Sequence, residues 1–145
     1  MNYGKYTVKT SNMQDWEMKL AAQEESVLEH VRGFFDRMLR ADGMINVDEI
    51  DLITMFYNKG EVMSGYVKVS EGALLSKETA KLLEELQKSA GKKLSNVLFV
   101  VAGDVEFLEA TEAATLISEQ LGENVNIVFG IFEEERGIEV MIAAV

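Results

Sequence analysis

The chain has 145 residues, with 14 Lys and Arg against 25 Asp and Glu, so its formal charge is −11. That balance argues against nucleic acid or an anionic membrane surface as a partner, because phosphate binding draws on clusters of Lys and Arg. With 48% hydrophobic and 27% charged residues the composition is that of one folded domain, and the lack of cysteine excludes disulfides, thiolate metal sites and cysteine nucleophiles.

Residues 1–12 form a polar amino-terminal segment with a short alternating run at Lys5-Tyr6-Thr7-Val8-Lys9. No apolar signal segment opens the chain and no run approaches the roughly 18 apolar residues of a membrane span, so a cytoplasmic protein is expected. Trp16, Leu20, Val27, Val31, Phe34, Phe35 and Met38 then recur at helical spacing, interrupted at Gln23-Glu24-Glu25. The spacing predicts one long helix over about 13–41, ending at Asp42-Gly43, with Ser11 or Asn12 as its cap and Arg37 and Arg40 at its negative end. The polar gap equally suits a kink or two helices.

Gly43-Met44-Ile45 reads as a tight connection, and Asn46-Val47-Asp48-Glu49 opens a second, shorter helix to about Tyr57. From residue 59 the period falls to two, with Val62, Tyr66, Val67 and Val69 as strand formers and Gly65 as a candidate bulge. A helix from Ser76 to the stop at Gly91 follows, and then the unbroken apolar run Val97-Leu98-Phe99-Val100-Val101, which suits a strand covered on both faces. Phe107, Ala110, Ala114, Ile117 and Leu121 mark a third amphipathic helix, stopped by Gly122. Two further alternating runs end the chain, and the short loop 133–136 between them favours an antiparallel hairpin.

The expected fold is α/β: a two-layer sandwich over 59–145 with a mixed four-stranded sheet in the order β-α-β-α-β-β. A long and a short helix over 13–58 precede it, and 13–145 forms one continuous unit.

No Gly-x-Gly-x-x-Gly or Gly-x-x-x-x-Gly-Lys-Ser/Thr loop is present, so the chain is expected to bind no nucleotide itself. His30, the sole histidine, lies off the apolar stripe and reads as a solvated side chain. Gly43, Ile45 and Glu49 fall at the sixth, eighth and twelfth positions of a calcium-binding loop, but its first and third would be Met38 and Arg40, which cannot supply the oxygens. No metal site is therefore expected. Asn46, Asp48, Glu49 and Asp51 gather acceptors and acids at a helix start. Asn46 with Glu49 can form a capping box, and acids there complement the helix dipole. The same exposed acids could instead be presented to a metal-bound phosphate or an attacking water on a partner.

The segment Gly43-Met44-Ile45-Asn46-Val47-Asp48-Glu49-Ile50-Asp51 resembles the synergy loop of the FtsZ/tubulin family, which typically reads Gly-Leu-Ile-Asn-Val-Asp-Phe-Ala-Asp. The resemblance extends over roughly 20–145. The helix through Val31, Phe34, Phe35 and Leu39 is similar to the family's central helix, and Val97 to Asp104, Phe107 to Leu121, Asn126 to Gly130 and Val140 to Ala143 resemble its last helices and strands. It implies a carboxyl-terminal FtsZ-type domain whose Asn46, Asp48 and Asp51 would act in trans on GTP and magnesium held by a neighbour. Glu49 and Ile50 depart from the usual aromatic and small residues, and the family's Gly-Gly-Gly-Thr-Gly-Thr-Gly nucleotide loop is not in the sequence. The roles implied are an interaction or regulatory module for an FtsZ-type protein in cell division, a self-associating scaffold paired through the long helix, or a piece of a longer FtsZ GTPase. None of them makes the chain an enzyme on its own.

Overall fold

A computed structural model describes residues 1–11, 13–40, 43–134 and 137–145. Its elements in chain order are β1 (Asn2–Val8), β2 (Trp16–Ala22), α1 (Glu25–Arg40), α2 (Glu49–Phe56), β3 (Glu61–Lys68), α3 (Leu75–Ala90), β4 (Asn96–Ala102), α4 (Phe107–Leu121), β5 (Asn126–Phe132) and β6 (Glu139–Ala144). The strands form one six-stranded sheet in the order β1-β2-β3-β6-β4-β5. α3 and α4 cover one face as the second layer of the sandwich, and α1 and α2 cover the other.

Two strands come from residues expected to be a polar segment and a helix. Trp16, Met18 and Leu20 are buried while Glu17 and Lys19 are exposed, the period of two that a strand requires. The Trp16 to Leu20 spacing of four also fits a helix, but the turn at Gln23-Glu24 is where the period actually changes. β1 pairs with β2 over its whole length, from Asn2 opposite Ala22 to Val8 opposite Trp16. The sheet therefore has six strands where four were expected, and the long helix begins at Glu25. Its predicted end at Asp42, its cap at Asn12 and part of the loop 133–136 lie outside the described residues.

The apolar face of α1 carries Leu28, Val31, Phe34, Phe35 and Met38, all buried, and the start of the chain helps to cover it. Tyr6 stacks on Phe35 with ring centroids 5.1 Å apart. β4 is buried along nearly its whole length, as its unbroken apolar run requires.

The expected hairpin between the last two strands is not formed. β5 lies parallel to β4, whereas β6 runs antiparallel to both β3 and β4 and separates them. β6 is buried at every position, and a strand with no polar face belongs in the middle of a covered sheet. Gly65 makes no bulge, since the β3–β6 register is continuous from Met63 to Lys68. A Cβ on Gly65 would sit 2.7 Å from Leu82 Cδ1, so the glycine lets α3 approach the sheet closely.

Candidate functional site

The acidic loop is fastened to the outer edge of β5. Ile45 and Ile131 exchange both backbone hydrogen bonds, the Ile131 amide donating at 2.9 Å and the Ile45 amide at 3.3 Å. Gly43 passes so close that an added Cβ would lie 2.1 Å from the Ile131 carbonyl oxygen. Val47 is buried against Gly130, where its Cγ2 occupies the space a side chain would need. These contacts carry the loop to Asp48 in extended conformation, and helix α2 starts there.

The cap is built two residues later than the sequence spacing suggests. Asp48, not Asn46, is the N-cap: its Oδ1 accepts from the Asp51 amide at 3.0 Å, and Asp51 Oδ2 accepts from the Asp48 amide at 3.1 Å. Burial of Val47 is the reason, because a residue committed to the core cannot occupy the first exposed turn. Asn46 has a separate task, its Oδ1 accepting from the Gly43 amide at 2.7 Å and closing the turn. Glu49 takes no part in the box and instead accepts from the Ser11 hydroxyl at 3.1 Å. A groove of about 330 Å³ beside the cap is lined by Lys9, Leu39, Asp48, Glu49 and Ile50.

Asp48 and Asp51 are thus brought together and Asn46 stands one turn away. Each acid commits one oxygen to the cap, which leaves a second oxygen able to accept from water. Asp48 and Ile50 are exposed, and Ile50 is 65% so. Among the described residues no group of three or more His, Cys, Asp or Glu is placed to hold a metal ion, and no helix is long and apolar enough to cross a membrane.

A second polar cluster escaped the sequence reading. Glu139, 5% exposed, accepts from Arg37 Nη2 at 2.9 Å and from the Tyr66 hydroxyl at 2.6 Å, while Arg37 Nη1 also donates to Glu134 at 2.9 Å. Burial alone would lower the Arg37 pKa, but the hydrogen bond to Glu139 and the charges of Glu139 and Glu134 raise it on balance. His30 is exposed yet stacks on Tyr66 with centroids 4.3 Å apart, so it is not simply solvated. The available signal was Glu139 itself, a carboxylate inside an apolar strand, which demands a partner.

No family model matches the chain. A cell division protein FtsZ from Wolbachia pipientis is 30% identical over 104 residues, covering 69% of this chain and 33% of that protein. An FtsZ dimer structure from M. jannaschii superposes with a TM-score of 0.64 at 26% identity, over 79% of this chain and 35% of the other. The chain has the fold of an FtsZ/tubulin-type carboxyl-terminal domain. CetZ from Methanosaeta thermophila shares the fold, with a TM-score of 0.59 at 16% identity over 81% of this chain and 35% of its own. The chain spans about a third of the length of the FtsZ relatives it matches. Within this FtsZ-type fold the β1–β2 hairpin and α1 precede the acidic loop, and α2 through β6 follow it.

Proposed function

We propose that this FtsZ-type domain is an interaction module that presents Asp48 and Asp51 to the nucleotide site of an FtsZ-type partner, where GTP and magnesium are held by the partner. The observation that carries the reading is the loop's construction. Two acids are fixed at an exposed helix start by the β5 edge and a reciprocal cap, so their free oxygens are oriented before any partner arrives. Pre-oriented carboxylates can align or deprotonate a water for attack on a γ-phosphate. Asn46 acts here by holding the turn. Ile50 and Met44, both exposed, flank the acids and add apolar contact area. Carried within a longer FtsZ-type chain, the same loop would complete the next subunit in the same way.

The test is GTP turnover by a full-length FtsZ titrated with this chain and with Asp48→Asn/Asp51→Asn. Asn remains a good N-cap, so the double variant keeps its fold, to be checked by circular dichroism. The expected result is that the wild-type chain changes turnover and the variant does not. Superimposable titrations, or no effect of the wild-type chain, would overturn the reading.

A further inference from the structure

The sheet has two edges, and they are treated differently. β5 has its outer rim occupied where Ile45 bridges to Ile131. Among the described residues β1 has β2 as its only strand neighbour, pairs with it in an uninterrupted register over seven residues, and contains neither proline nor bulge. Such an edge offers unpaired amides and carbonyls to another strand, and proteins that avoid edge pairing usually blunt it. The sole charge on β1 is Lys5, which is already paired with Glu17 at 3.6 Å.

The side of β1 that faces α1 carries a charge pattern that suits one occupant. Arg32 lies over Gly4, where a Cβ would come within 2.8 Å of Nη1. Asp36 lies over Tyr6 and accepts from its hydroxyl at 2.8 Å. Arg32 is otherwise engaged by Glu25 only at 3.5 Å and in an exposed position.

We propose that β1 pairs antiparallel with β1 of a second copy of this chain about a two-fold axis through Lys5, giving a continuous sheet across the dimer. In that register Gly4 stands opposite Tyr6 of the second copy. The Arg32 over Gly4 then faces the second copy's Asp36, and its Arg32 faces this chain's Asp36, making two symmetric ion pairs. The two Lys5 side chains meet on the far face, where each keeps its Glu17. This pairing does not use the acidic loop and stands independently of the function proposed above.

Sedimentation of the full chain over a concentration series, with hydrogen exchange of the β1 amides at both ends of the series, tests it. A dimer is expected, with β1 amides more protected at high concentration. Arg32→Glu should weaken dimerisation by roughly tenfold or more, because two attractive pairs become repulsive, and Arg32→Glu/Asp36→Arg should restore it by reversing both partners. A wild-type chain that stays monomeric, β1 exchange that ignores concentration, or a dimer indifferent to Arg32→Glu would each overturn the proposal.

Discussion

Glu139 sits in a strand buried at every position, and its charge is matched by Arg37 and by the Tyr66 hydroxyl. A partnered buried carboxylate contributes little net stability, but removing it strands its partners. Glu139→Ala should therefore cost about 2–4 kcal/mol in urea unfolding, less than a fully isolated pair would because Arg37 keeps Glu134. Glu139→Gln retains an acceptor for Tyr66 and should cost less. Tyr6 supplies a pH test on the same α1-covered face, at the β1 edge of the sheet. Burial and the hydrogen bond to Asp36 push its phenol well above the ordinary value. The folded state then holds a proton that the unfolded chain releases, so this contribution is complete below about pH 10 and is lost as pH rises through the folded value. Tyr6→Phe should cost about 1 kcal/mol at neutral pH and flatten the alkaline decline, readable from unfolding midpoints between neutral pH and the alkaline limit.

At the scale of elements, glycines separate close approach from simple helix occupancy. Gly43 abuts the β5 backbone, so in Gly43→Ala the new Cβ meets the Ile131 carbonyl and Phe132 Cα, neither of which can step aside. The loop must lift, the Ile45–Ile131 bridge must break, and a loss of roughly 2 kcal/mol or more is expected in thermal unfolding. Gly33, inside α1, has nothing within 4 Å of a built Cβ, and Gly33→Ala should stabilise by about 0.5–1 kcal/mol. Opposite signs for these two substitutions distinguish a pinned loop from a loose one. The acids of the loop were legible as an acidic first turn because a cap is a local pattern three residues long. Which pair forms it was not, since that depends on Val47 reaching Gly130, more than 80 residues away in sequence. Ser11's bond to Glu49 is hidden for the same reason. The helices from α2 onward and the buried run of β4 followed their periodicity, whereas β2 was misread because residues 16 and 20 satisfy both periods.

Across the whole molecule, the insertion of β6 between β3 and β4 is a matter of long-range register, to which a single sequence gives only the clue of a strand apolar at every position but Glu139. Charge is distributed just as unevenly, and here the sequence and the fold can be read together. Residues 1–93 carry 13 Lys and Arg against 15 Asp and Glu, or −2; residues 94–145 carry one against ten, or −9, which together give −11. α4 bears Glu109, Glu112 and Glu119 with no basic residue, and Glu106 and Glu123 flank it. This repulsion competes with ion pairs such as Lys5–Glu17, Lys19–Glu61 and Lys88–Glu84, which are exposed and worth about 0–1 kcal/mol each. Salt screens both, with a Debye length of about 10 Å at 0.1 M. The attractive pairs lie on β1, β2, β3 and α3, within 4 Å, where screening removes little. The repulsive acids around α4 are spread over a helix and its flanking turns, so their repulsion sums over many pairs, the longer-range of which screening largely removes. Added sodium chloride should therefore raise the thermal midpoint between low and moderate ionic strength, and replacing Glu112 and Glu119 together by Gln should raise the low-salt midpoint while reducing its dependence on salt. A midpoint that falls with salt would mean that the exposed ion pairs outweigh the acidic face.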